Sequence, residues 1–131
     1  MEDRSLAETS PRTVLYIEDN FSNLKLVQTL LERRPDIQLI PAMQGSIGVT
    51  LARDHNPDLV LLDLNLPDMP GEEVLGRLRS DPRTANLPVI VITANATSGQ
   101  VKRFLKQGAR AYLTKPLEVK RFLELVDLFC S

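Results

Sequence analysis

Short apolar runs alternate along the chain with segments in which apolar residues recur every three or four positions. The short runs are rich in aliphatic and β-branched residues, which predicts strands at 13–17, 37–40, 58–62, 88–92 and 109–113. Helical spacing follows each run and predicts helices at 20–34, 44–55, 71–80, 98–107 and 117–129. Residues 1–11 show neither pattern, so we expect a flexible N-terminal tail ahead of one domain at 12–131.

Individual residues support several of these helix boundaries. Asn20 can cap the first helix through its side chain, and Pro35 stops that helix. Gly108 is a natural left-handed residue at the end of the fourth helix. Gly45 and Gly48 lower the helical propensity of the second helix. The second helix therefore has weaker signals than the others.

Strands that alternate with helices predict an α/β fold. Such alternation produces a parallel sheet with right-handed crossovers and helices on both faces. The near-continuous apolar strand at 88–92 fits a sheet that is covered on both faces. We therefore predict a flavodoxin-like (βα)5 three-layer sandwich, whose parallel five-stranded sheet has the order 2-1-3-4-5.

Acidic, basic and hydroxyl-bearing residues follow four of the predicted strands. These residues are Glu18 and Asp19 after the first strand, Asp63 after the third, Thr93 after the fourth and Lys115 after the fifth. In the predicted order, they meet at the carboxyl edge of the sheet, where ligands of parallel sheets bind. Asp63 then has two carboxylates on one side, and a hydroxyl and an ammonium on the other.

The charges in this cluster predict a metal ion and phosphoryl chemistry. Two carboxylates about 5 Å apart repel by roughly 3 kcal/mol at an effective dielectric of about 20, so the cluster needs a cation. Oxygen ligands on a partly solvated site favour Mg²⁺ (or Mn²⁺). Thr93 offers a hydroxyl donor and Lys115 a mobile positive charge, both of which suit phosphoryl oxygens. An aspartate beside a metal and a lysine is suited to forming an acyl phosphate.

Composition is that of a soluble globular protein, with 43% hydrophobic and 25% charged residues among 131. The formal net charge of −1 argues against a nucleic-acid-binding domain. No apolar run approaches the ~20 residues of a membrane span, and the N-terminus is too polar for a secretory signal. The single cysteine, Cys130, favours a reducing compartment, so a cytoplasmic location is expected.

Basic residues concentrate in the last third of the chain, where Glu118 is the one acid among them. They are Lys102, Arg103, Lys106, Arg110, Lys115, Lys120 and Arg121. This pattern predicts either the solvated faces of two helices or a docking surface for an acidic partner. The sequence leaves both interpretations open.

Four motifs lie at the ends of predicted strands. They read YIEDN at 16–20, LLDLNLPDMPG at 61–71, VITA at 91–94 and GARAYLTKPL at 108–117. Their order and spacing resemble those of receiver domains of two-component response regulators, the family of the chemotaxis response regulators, over 13–129. The EDNFSN and RAYLTKPL segments most resemble receivers attached to, or cognate with, hybrid sensor kinases.

This resemblance implies a role for each matched acidic residue. Asp63 would accept a phosphoryl group from a histidine on a kinase or a histidine phosphotransfer protein. The metal ligands would be Asp19 directly, Glu18 through water, Asp63, and the backbone carbonyl of Asn65. Glu18 stands where many members carry Asp, and its longer arm makes direct metal contact less predictable.

The resemblance also implies a switch. Thr93 would turn inward to the phosphoryl group, and Tyr112 would follow it from an exposed to a buried position. Lys115 would pair with the phosphoryl oxygens, and the bond before Pro116 would be cis. Asn65 and Asn95 would flank the reaction centre, where side chains affect the attack of water on the phosphoaspartate.

The expected function is a phosphoacceptor signalling module whose phosphorylation shifts a pre-existing equilibrium. The response would appear on the surface of helix 4, strand 5 and helix 5. Its catalysis would be limited to self-catalysed phosphotransfer and slow autodephosphorylation. Since the chain stops after the last helix, we expect it to act through an unidentified downstream protein, as a monomer or a phosphorylation-dependent homodimer, without nucleic acid or membrane.

Other functions fit the residues in part. A receiver cut from a hybrid histidine kinase or a larger response regulator would look the same. A haloacid-dehalogenase-like phosphatase would also use Asp63 as nucleophile, but it needs an acid where this chain has Asn65. A flavodoxin-like flavin carrier would need a hydroxyl-rich phosphate loop, and Glu18 and Asp19 would repel the flavin phosphate.

Overall fold

The computed structural model describes residues 11–94 and 97–130, in which strands and helices alternate. The strands are β1 (Arg12–Ile17), β2 (Ile37–Ala42), β3 (Leu59–Asp63), β4 (Val89–Thr93) and β5 (Ala111–Thr114). The helices are α1 (Phe21–Leu31), α2 (Gly45–His55), α3 (Gly71–Ser80), α4 (Ser98–Lys106) and α5 (Val119–Cys130). The predicted α/β alternation is confirmed.

The strands of the described residues pair in parallel in a single sheet. Its order, β2-β1-β3-β4-β5, confirms the predicted flavodoxin-like topology. β3 lies in the middle of the sheet, and its whole length is buried. Because the strands are parallel, their carboxyl ends lie at one edge of the sheet, where ligands of such sheets bind.

Alternate residues of each strand face two separate apolar layers. In β1, Val14 and Tyr16 belong to the layer that contains the buried residues of α1 and α5. Leu15 and Ile17 belong to the other layer, with buried residues of α2, α3 and α4. The helices therefore cover both faces of the sheet. Among the described residues, none of the helices has the length and apolar character needed to cross a membrane.

Two predicted boundaries were wrong on the α1–β2 side. α1 ends at Leu31 instead of Arg34, because the amides of residues 32–34 bond to carbonyls three positions back and tighten the chain ahead of Pro35. The chain continues as a turn, in which the Arg34 amide donates to the Leu31 carbonyl at 2.9 Å. β2 extends through Pro41, which an edge strand tolerates because its outer side needs no hydrogen-bond donor.

β5 begins at Ala111 rather than 109 because the preceding residues close α4. Gly108 has a φ of +100°, the left-handed conformation expected for it. The Ala109 amide then donates back to the Phe104 carbonyl at 2.9 Å, which completes a Schellman turn. The sequence correctly identified the terminating glycine but not Ala109, which the turn also uses.

The glycines of α2 allow the helix to lie close to its neighbours. A Cβ atom at Gly48 would lie 2.5 Å from Cδ1 of Ile17, which is inside van der Waals contact. A Cβ atom at Gly45 would lie 2.7 Å from side-chain carbons of Met69 and Val74. The low helical propensity of this segment is therefore the cost of close packing against β1 and α3.

We expect Gly48→Ala to lower the free energy of unfolding by about 1–3 kcal/mol, because the new methyl group must displace Ile17 from a filled core. Gly76→Ala in α3 is the matched control. Apart from its chain neighbours and its own helix backbone, the described residues place no atom within 4 Å of that Cβ position. Helix propensity alone predicts a gain of about 1 kcal/mol there. Urea unfolding measures both values, and equal shifts would contradict this packing.

Candidate functional site

Asp63 is the last residue of the central strand and has 2% of its surface exposed. Glu18 and Asp19 follow the adjacent β1, and Thr93 ends the adjacent β4. Thr93 is also buried, with 6% exposed. The sheet order thus places these four residues along the carboxyl edge, with Asp63 at the centre.

Lys115 reaches this centre from the end of β5, two strands away from β3. Its Nζ donates to Oδ2 of Asp63, and also to Oε1 of Glu18 at 3.0 Å. The backbone amide of Lys115 donates to the carbonyl of Thr93 at 3.0 Å, which fixes where the side chain begins. The peptide bond between Lys115 and Pro116 is cis. The long lysine side chain therefore bridges β4 and contacts both carboxylates.

Glu18 is a buried residue with several donors around its carboxylate, and 1% of it is exposed. Besides Lys115, its Oε1 accepts from the Tyr16 hydroxyl at 3.1 Å and from the Asn23 side-chain amide at 2.9 Å. Its Oε2 accepts from the backbone amide of Asn20 at 3.3 Å. Glu18 is thus held from β1, from α1 and from β5.

Burial and mutual charge set the pKa values of these groups. Burial raises the pKa of Asp63. The interaction with Glu18 adds to this increase, and the contact with Lys115 only partly opposes it. Burial also acts to raise the pKa of Glu18, but its interactions with Asp63 and Lys115 outweigh burial and lower the pKa. The pKa of Lys115 is raised because the two carboxylates outweigh the effect of burial. One ammonium therefore compensates two buried carboxylates.

The structure changes the argument for a metal ion. In residues 11–94 and 97–130, no three acidic, histidine or cysteine side chains are grouped so that they could hold a metal. The positive charge between Glu18 and Asp63 is that of Lys115, so their repulsion does not by itself require a metal. Asp19 is exposed and lines a shallow depression with Asn65. These oxygen donors, a carboxylate and a nearby backbone carbonyl, still match the ligand preference of Mg²⁺.

The loop after β3 is tied down by Asp68, a residue that the sequence did not single out. Its carboxylate accepts from the backbone amides of Gly45 at 2.7 Å and Ser46 at 3.0 Å, at the start of α2. These bonds lower the pKa of Asp68. Asn65 lies in the same loop, where its backbone amide donates to Oδ1 of Asp63 at 2.6 Å. The loop is therefore fixed both at the site and at the neighbouring helix.

The expected switch residues lie where the sheet predicts. Thr93 ends β4, and Tyr112 lies on β5 with 42% of its surface exposed. Leu113, next to Tyr112, points into the core instead. Asn95, which the sequence placed beside the reaction centre, lies outside the described residues.

Tyr16 and Asn23 are the other contacts that the sequence interpretation missed. A signal for Tyr16 was present, because residues two apart on a strand face the same side, as Tyr16 and Glu18 do. Asn23 follows Asn20 by three residues, so the first helical turn carries it back toward β1. Tyr16 lies in the YIEDN motif and Asn23 in the EDNFSN segment, where the sequence predicted roles only for Glu18, Asp19 and Asn20.

Comparison with known proteins supports a single family. Residues 14–127 match the family described as "Response regulator receiver domain". The chain is 39% identical over 119 residues to the polar-differentiation response regulator DivK of Brucella anthropi, which covers 91% of this chain and 96% of that protein.

Solved structures with the same fold include two metal-bound receivers. The receiver domain of a sensor histidine kinase from Pseudomonas aeruginosa, with magnesium coordinated in its active-site cleft, superimposes with a TM-score of 0.81 at 25% identity, covering 92% of this chain and 98% of that one. The manganese-bound form of the response regulator Rcp1 gives a TM-score of 0.76 at 30% identity, covering 88% and 89%. The chain therefore belongs to the response regulator receiver domain family and is a phosphoacceptor module of two-component signalling.

Proposed function

We propose that Asp63 is the phosphoacceptor and that its donor is a phosphohistidine on a histidine kinase or a histidine phosphotransfer protein. The observation that supports this most is the direct contact of the Lys115 ammonium with the buried Asp63 carboxylate. Lys115 favours the ionised carboxylate, which is the nucleophilic form, and it is positioned to neutralise charge on an incoming phosphoryl group.

The transfer forms one bond and breaks another. An oxygen of Asp63 attacks the phosphorus atom, an oxygen–phosphorus bond forms, and the bond to the imidazole nitrogen breaks. The imidazole keeps that electron pair and takes a proton from solvent when needed. Lys115 and the hydroxyl of Thr93 would donate hydrogen bonds to the phosphoryl oxygens, since both are donors beside Asp63 at the sheet edge.

We propose Mg²⁺ or Mn²⁺ as the ion of this site, as in the two metal-bound receivers that resemble it. Asp19, Asp63 and the backbone carbonyl of Asn65 would hold it, and Glu18 completes the ligand set implied by the resemblance. When bound, the ion supplies positive charge to the phosphoryl oxygens. The Asp68 contacts support this assignment because they fix the loop that carries Asn65.

We further propose that phosphorylation acts as a switch and that the protein has no external substrate. Thr93 would move toward the phosphoryl group, Tyr112 would become buried, and the α4–β5–α5 surface would change for a downstream protein. Turnover would be limited to self-catalysed phosphorylation and slow autodephosphorylation. A phosphatase of the haloacid-dehalogenase type is not favoured, because Asn65 provides no general acid. The free, buried thiol of Cys130 supports a reducing, cytoplasmic setting.

With Mg²⁺ and a small phosphodonor such as acetyl phosphate, the protein should gain one acid-stable, alkali-labile phosphoryl group, measured by intact mass. Asp63→Asn should abolish this gain because an amide oxygen is a poor nucleophile. The matched control is Asp58→Asn, directly before the amino end of the same strand, which should be phosphorylated as in the wild type. A phosphoryl group that persists in the Asp63→Asn variant would refute the site.

The charge balance at the site predicts opposite effects of two substitutions on stability at neutral pH. Asp63→Asn leaves Lys115 with one carboxylate, and we expect the free energy of unfolding to rise by about 1 kcal/mol. Lys115→Met leaves two buried carboxylates without a cation, and we expect a loss on the order of 1–3 kcal/mol. Urea unfolding without divalent metal measures both. A loss of stability in Asp63→Asn would mean that the carboxylates do not repel as described.

A further inference from the structure

Glu18 accepts more hydrogen bonds than its contact with Lys115 requires. Three donors converge on Oε1 alone, namely Lys115 at 3.0 Å, Tyr16 at 3.1 Å and Asn23 at 2.9 Å. A carboxylate oxygen has two lone pairs in its plane, so these donors use its whole accepting capacity. All accepting positions of Oε1 are therefore used by donors of the protein, one of which is Lys115.

Tyr16 is built into the fold as a donor to Glu18. It is fully buried in the apolar layer beneath α1 and α5, where its hydroxyl needs a polar partner. Burial raises its pKa, and the charges of Glu18 and Asp63 add to this, so the hydroxyl keeps its proton and donates it. The strand geometry places Tyr16 and Glu18 on one face, so the donor cannot turn away without disturbing the core.

Asn23 is fixed by the cap of α1. Its backbone amide donates to the side chain of Asn20, the N-cap residue, at 3.0 Å. The cap holds the first turn in place, and the side-chain amide of Asn23 then points back to Glu18. The two supporting donors thus come from β1, an interior strand of the sheet, and from the capped first turn of α1.

Lys115, in contrast, is not held by packing. A cavity of about 100 Å³ lies beside it, lined by Tyr16, Asn23, Leu26, Lys115, Pro116 and Leu117. The lysine side chain is 24% exposed, whereas the Glu18 side chain is 2% exposed. The position of the Lys115 ammonium therefore depends more on its contacts with Glu18 and Asp63 than on packing against the residues that line the cavity.

We propose that Tyr16 and Asn23 are positioning residues for phosphoryl transfer, which fix Glu18 as the counter-ion that keeps Lys115 at Asp63. The proposal rests on the function proposed for Asp63. In this role Glu18 contacts Lys115 through Oε1, while the direct metal ligands would be Asp19, Asp63 and the carbonyl of Asn65. After phosphorylation Lys115 contacts the phosphoryl oxygens, while Glu18 stays in place as its second partner.

The first test needs neither metal nor phosphodonor. With ¹³C-labelled lysine, a held Lys115 should show two separate ε-proton signals, because its ammonium has a fixed orientation. In the double variant Tyr16→Phe with Asn23→Ala, the two signals should move together as the ammonium becomes mobile. Gln28→Ala removes an exposed amide from the same helix and should leave the Lys115 signals unchanged. Unchanged signals in the double variant would overturn the proposal.

The second test separates positioning from metal binding. At saturating Mg²⁺ and acetyl phosphate, Tyr16→Phe and Asn23→Ala should each lower the limiting rate of phosphorylation by roughly three- to tenfold, as expected for one lost hydrogen bond. Mg²⁺ affinity, measured by calorimetry, should match that of the wild type. Tyr16→Phe keeps the buried ring and therefore a filled core. It still tests the proposal if Asn23→Ala fails to fold.

The outcomes distinguish this inference from the proposed function. A wild type that accepts no phosphoryl group would contradict the role of Asp63. The ε-proton signals of Lys115 would still show whether Tyr16 and Asn23 position the lysine. Variants that are phosphorylated at the wild-type rate would overturn the positioning role alone. A parallel loss of Mg²⁺ affinity would show that Tyr16 and Asn23 orient Glu18 for the metal instead, which would also overturn it.

Discussion

One ammonium group shared by two buried carboxylates holds this site together. Asp63 and Glu18 could not both remain ionised inside the protein without it, since buried charges must be paired. The three side chains follow β3, β1 and β5, so their contact depends on the order of strands in the sheet. One ammonium against two carboxylates leaves the cluster with a net negative charge.

The rest of the edge keeps these charges in place. On one side, the capped first turn of α1 holds Asn23, and β1 holds Tyr16, so Glu18 accepts hydrogen bonds from two elements. On the other side, Asp68 ties the loop after β3 to the start of α2. Lys115 is the long, partly exposed member of the cluster.

The sequence located the elements well, and its errors had local causes. α1 stopped early because residues 32–34 bond to carbonyls three positions back and form a turn ahead of Pro35. β5 started late because the turn around Gly108 uses the following residues to close α4. Gly48 lowered the propensity of α2 for a reason that periodicity cannot express, namely the distance of the helix from Ile17. Propensity describes a residue alone, whereas packing depends on its neighbours in space.

The sequence by itself determined the fold and the edge at which Asp63 and Lys115 would meet. Strand and helix periodicity is a local property, and parallel strands have only one carboxyl edge. Only the tertiary structure decided that Lys115 contacts both Glu18 and Asp63. It also decided that Tyr16 donates to Glu18. Those contacts depend on the lengths and directions of side chains from different elements, which no spacing along the chain records.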